Sequence, residues 1–91
     1  MIQGTHTCVG YEKLSVSGTA TALNVPSGGA SAASVAIKTA DVRWRCDGTD
    51  PTASNGMPLA KDRDMWFTGD LNRVKFIAQS GTAEVNVAYW Q

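Results

Sequence analysis

The side chains able to do chemistry are few in this sequence, and they do not gather by type. His6 is the only histidine. It has no nucleophile or orienting carboxylate near it in sequence, so it is expected to be a solvated polar residue rather than a general base. Asp47, Asp50, Asp62, Asp64 and Asp70 all fall among turn-forming residues. Asp47-Gly48-Thr49-Asp50 opens like a calcium loop but lacks the alternating ligands and closing glutamate of an EF-hand, so turn formation is its expected role. A hydrolase built on paired carboxylates needs two of them facing across a cleft, and no spacing here implies that. Cys8 and Cys46 form no CxxC, and with one histidine they fall short of the four donors of a structural zinc site. Free thiols, an intramolecular bond and a bond to a neighbouring subunit through Cys8 all stay open. No catalytic residue, metal or cofactor is expected.

Arg43 and Arg45, with Arg73 and Lys75 on another segment, could make a basic strip on the outer face of a sheet. Eight basic and eight acidic residues give a net charge of zero, so no overall field draws the chain to nucleic acid or to an anionic membrane. Cross-strand ion pairs are the expected use of the strip. The aromatics carry more information. Trp44 is expected as a core anchor. The parity of Trp90 sets it opposite Val87 and Tyr89, outward, where tryptophan commonly serves as a contact residue. Met65 and Phe67 lie on the face opposite Trp66 and are either contact residues or part of a second buried face. The expected interface set is therefore Cys8, Asp47, Thr49, Asp50, Met65, Phe67 and Trp90.

These residues need a scaffold, and 91 residues allow one small domain. Residues 1–10 read as an extended arm and 11–91 as a single domain. Period-two alternation gives strands over 11–17, 19–25, 31–39, 42–46, 65–68, 73–79 and 83–90. The 39–41 and 80–82 segments read as tight hairpin connections, and Asp70 stands at the start of a single helical turn. The loop 47–56, rich in Asp, Pro, Asn and Gly, reads as a shaped excursion. The expected core is Leu14, Val16, Leu23, Val35, Ile37, Val42, Trp44, Leu59, Trp66, Val74, Phe76, Val85, Val87 and Tyr89. No apolar run approaches the ~20 residues of a membrane span, and the first residues lack the pattern of a secretory signal. The fold class is all-β: a small antiparallel β-sandwich, jelly-roll or Ig-like, or a small barrel, of about six to eight short strands. Such a domain works by contact, with its edges and its arm as tools.

Two stretches add a likeness. Tyr11-Glu12-Lys13-Leu14-Ser15-Val16-Ser17 is followed by Val42-Arg43-Trp44-Arg45-Cys46-Asp47-Gly48-Thr49-Asp50-Pro51-Thr52-Ala53-Ser54-Asn55-Gly56-Met57-Pro58-Leu59. Together with Phe76-Ile77 and the closing Val85-Asn86-Val87-Ala88-Tyr89, this order resembles a group of small uncharacterised or minor structural proteins encoded by tailed bacteriophages. The resemblance covers residues 11–91. It implies a non-enzymatic virion component, assembled in the host cytoplasm and bound in multiple copies to the capsid or to the head–tail neck. The partners implied are the major capsid protein or neck and tail proteins, and further copies of the chain. The alternative is a tail-associated receptor- or glycan-binding module. Cys46 stands where the group is expected to carry a polar residue, which strengthens the idea of an intersubunit disulfide through Cys8 and Cys46 formed after lysis.

Overall fold

Strand formation follows the alternation of apolar and polar side chains, most clearly over Ala83–Trp90, which buries one parity throughout. A computed structural model describes residues 6–91. Its strands are β1 (Cys8–Val16), β2 (Thr21–Ala22), β3 (Ala32–Lys38), β4 (Val42–Arg45), β5 (Met57–Leu59), β6 (Asp64–Thr68), β7 (Lys75–Ala78) and β8 (Ala83–Trp90), with a 3₁₀ turn at Leu71–Arg73 before β7. Ala83, Val85, Val87 and Tyr89 of β8 are buried while Glu84, Asn86, Ala88 and Trp90 are only partly covered. In β7, Phe76 and Ala78 point inward. Both strands follow the sequence pattern.

The strands form two antiparallel four-stranded sheets, one ordered β1-β8-β3-β6 and the other β2-β7-β4-β5. The ladders β1–β8, β2–β7, β3–β6 and β4–β5 run from the two ends of the chain toward its middle. The chain is therefore one long antiparallel ribbon. The further ladders β3–β8 and β4–β7 form where that ribbon is rolled on itself. This is the topology of an eight-stranded jelly roll, a β-sandwich built from two Greek keys. Every connection carries the chain to the other sheet except the one between β4 and β5. The loop 46–56 is thus the turn of the whole ribbon.

This topology corrects two expectations. The 39–41 and 80–82 segments are not hairpins, because β3 and β4 lie in different sheets, and so do β7 and β8. They are short crossovers lying side by side. The Thr39 hydroxyl donates to the Thr82 carbonyl at 2.9 Å, and the Glu84 amide donates to the Thr39 hydroxyl oxygen at 3.2 Å. Thr39 holds φ of 72° there, a left-handed conformation that the two bonds offset. The arm boundary also moves. Residues 8–10 are the first three of β1, and Thr7 exchanges two 2.9 Å backbone bonds with Gln91. Residues 1–5 of the expected arm lie outside the described residues.

The core between the sheets contains Val16, Leu23, Val35, Ile37, Val42, Val74, Phe76, Val85, Val87 and Tyr89, all expected, together with Ala33, Leu71, Ala78 and Ala83. Leu14, Trp44 and Leu59 are partly buried at its margin. Trp66 is not part of it. Its β6 neighbours Met65 and Phe67 pack against the core instead, and Trp66 turns to the outer face. Asp70 caps the 3₁₀ turn, accepting from the Asn72 amide at 3.1 Å, and the turn buries Leu71.

Candidate functional site: a loop held by four cations

β4 alternates in the expected way, with Val42 and Trp44 facing the core and Arg43 and Arg45 on the outer face of their sheet. β7 places Lys75 opposite Arg45 and Ile77 opposite Arg43, and Arg73 precedes it. Like charges directly opposite one another destabilise a ladder. The ribbon's turn resolves this by folding back over the same face. Asp47 accepts from Arg45 at 3.1 and 2.5 Å, in the paired geometry of a guanidinium and a carboxylate. Asp50 accepts from Lys75 at 2.7 Å. Arg43 donates to the carbonyls of Ala53 and Gly56, at 3.2 and 2.9 Å. Arg73 donates to the carbonyl of Asp47 at 2.7 Å. The expected basic strip exists, and its four cations grip the loop.

The loop is shaped from within as well. The Thr49 amide donates to Asp47 Oδ1 at 3.1 Å, and Thr52 and Asn55 exchange backbone bonds of 2.8 and 3.2 Å around Ala53 and Ser54. Pro51 is buried, and the loop's 50–53 segment shares a depression with Ile77, Ala78 and Gln79. That cover explains why Ile77 is only 6% exposed although its parity faces outward. Two positions require glycine. Gly48 has φ of +83°, and a Cβ there would sit 2.8 Å from Arg73 Nη2. Gly56 has φ of +149°, with Arg43, Pro51 and the Trp44 carbonyl all within 3.2 Å of such a Cβ.

At the root of the loop lies a concavity of about 560 Å³, lined by Trp44, Arg45, Cys46, Asp47, Asn55, Gly56 and Met57. Trp44 meets Phe67 of the opposite sheet edge-on at 6.0 Å. Met57 is 57% exposed and is the register partner of Trp44. An apolar floor rimmed by an arginine, an aspartate and an asparagine suits a side chain or short peptide of a partner. Hydrogen bonding to Arg45, and to the Thr49 amide, draws the Asp47 carboxyl down to about 2.

The structure brings Asp47, Thr49 and Asp50 together in this loop, with both carboxylates used to hold it and Thr49 exposed. Met65 and Phe67 are turned inward, apart from it. Trp90 lies on the outer face of the other sheet, where its Nε1 donates to the Ser34 hydroxyl at 3.2 Å and its ring meets Trp66 at 6.1 Å. His6 packs edge-on against the far side of the cluster, 5.4 Å from Trp66. Cys8 and Cys46 are both free and exposed. Cys46 lines the cleft, while Cys8 stands on β1 opposite Trp90. Sequence reasoning missed Met57, whose place beside Trp44 depends on a ladder that no local pattern marks. It placed Arg43 in the basic strip but not on the carbonyls of Ala53 and Gly56.

Among the described residues no group of three His, Cys, Asp or Glu side chains is placed to hold a metal, and no helix is long and apolar enough to cross a membrane. Compared with known proteins, the chain matches no family model, no curated protein and no solved structure.

Proposed function

We propose that this chain is a structural protein of a tailed-bacteriophage particle, bound in multiple copies to the capsid surface or to the head–tail neck. The observation that carries the reading is the held loop. A surface excursion of about ten residues ordinarily costs entropy to order on binding. Here four cations, a buried proline and two glycines have already ordered it, next to an open apolar cleft. Such a projection is suited to repeated docking without chemistry. The jelly-roll topology recurs in viral capsid domains, and the stretch carrying the phage resemblance coincides with β4, the loop and β5. Many copies make weak individual contacts sufficient, because attachment at several points raises effective affinity.

Cryo-electron microscopy of the particle whose genome encodes the chain tests this. Density repeated over the icosahedral lattice supports decoration, a single ring at one vertex supports the neck, and absence from the particle refutes the proposal. A charge placed in the cleft by Met57→Arg is expected to strip the protein from particles without unfolding it.

A further inference from the structure

The outer face of the β1-β8-β3-β6 sheet is organised in rows across the strands. One row reads Tyr11, Ala88, Ser34, Trp66, each the register partner of the next. The adjacent row reads Lys13, Asn86, Ala36, Asp64. The first row is thus an aromatic ring at each end with two small side chains between. The second supplies an amide and a carboxylate beside them. A depression of about 220 Å³ opens here, lined by Tyr11, Ser34, Val35, Ala36, Asp64, Asn86 and Ala88.

Tyr11 is 66% exposed, yet its ring is not loose, because its hydroxyl donates to Asn86 Oδ1 at 2.7 Å. The Asn86 amide nitrogen is in turn held by Glu84 at 3.0 Å. The Asp64 carboxylate has no hydrogen-bond or ion-pair partner among the described residues. At the other end Trp66 stands just outside the depression's lining, flanked by Trp90, whose Nε1 donates to Ser34, and met edge-on by His6.

From this arrangement we infer that the row is a binding site for a short neutral oligosaccharide laid across the strands. A sugar ring offers an apolar C–H face to an aromatic ring and hydroxyls at its rim, and the row offers fixed aromatic rings, a flat floor and flanking polar acceptors. Three strand spacings separate Tyr11 from Trp66, about 14 Å or roughly three sugar rings. Asp64 puts a carboxylate in the depression, which disfavours an anion there, and the one cation of the two rows, Lys13, stands outside its lining at the β1 end. A small cation is disfavoured too, since rings this far apart cannot enclose it. The inference goes beyond the structural role and does not depend on where the copies sit.

The test is a printed array of neutral oligosaccharides, among them neutral O-antigen fragments, followed by calorimetric titration of the best-bound soluble trisaccharide. Tyr11→Ala is expected to weaken binding roughly fivefold to tenfold, while Tyr11→Phe, which keeps the ring but gives up its bond to Asn86, falls between it and the parent. Asp64→Asn is expected to weaken it severalfold. The exposure of Tyr11 and Asp64 makes the melting temperature of all three variants match the parent. The inference is overturned if the parent protein retains no saccharide, if Tyr11→Ala and Asp64→Asn bind as the parent does, or if Tyr11→Phe loses as much as Tyr11→Ala. Loss of the saccharide result leaves the particle density untouched, so the two readings fail separately.

Discussion

Asp47 joins three parts of the molecule: its carboxylate takes both bonds from Arg45 and one from the Thr49 amide, and its carbonyl takes Arg73. Its folded carboxyl lies at about 2, below the ordinary 3.8. A group whose folded value is depressed contributes stability above its unfolded value and loses it as pH falls through the folded one. The loop is therefore expected to keep its order above about pH 4 and to loosen between about pH 4 and 2. The protection factor of the Thr49 amide, its exchange rate against the intrinsic rate at the same pH, checks this; in Asp47→Asn the factor should be low already at pH 7 and change little on acidification. At Gly48 a side chain would meet both a positive φ and the Arg73 guanidinium. Arg73 can swing away but forfeits its bond, so Gly48→Ala is expected to cost about 1–2 kcal/mol in denaturant unfolding. At this scale the sequence showed that Asp47 and Gly48 make a turn. It did not show what the turn rests on, because Arg73 is far away along the chain.

At the scale of elements, β1 is tied to β8 and to the segment after β2 through Glu12. Its carboxylate accepts from the Asn24 amide at 2.9 Å, from the Asn24 side chain at 2.8 Å and from the buried Tyr89 hydroxyl. Burial and the neighbouring carboxylate push the Tyr89 hydroxyl well above its usual range. Glu12→Ala leaves three donors to find other partners and is expected to cost about 1–3 kcal/mol, while Tyr89→Phe costs less because Asn24 still satisfies Glu12. Paired thermal melts decide between them. Period two identified which residues share a face along β6, but not which face looks inward. Trp66 and the pair Met65 and Phe67 are both apolar, so their sides were exchanged. The crossovers at 39–41 and 79–82 were illegible for a related reason. A connection of three or four residues can turn a strand back beside its predecessor or send it to the other sheet, and the local pattern is the same for both.

For the molecule as a whole, the all-β class and most of the core were legible, because Val35, Ile37, Val74, Phe76, Val85 and Val87 alternate cleanly. Strand order was not, since it is set by rolling the ribbon and leaves no local mark. Phe76 is fully buried between the sheets, and Phe76→Ala is expected to cost about 3–5 kcal/mol, enough to unfold much of a domain this size at 37 °C. Circular dichroism at rising temperature reads this directly.

The rolled ribbon also governs synthesis. β8 is made after the other seven strands, yet it stands between β1 and β3, two strands made long before it. Until β8 emerges from the ribosome, β1 has no ladder partner and β3 can reach only β6, so the nascent chain carries unpaired apolar strands up to that point. Such edges are open to pairing with other chains. Yield is therefore expected to fall as nascent chains crowd together on the polysome, because unpaired edges of neighbouring chains can meet before β8 is available.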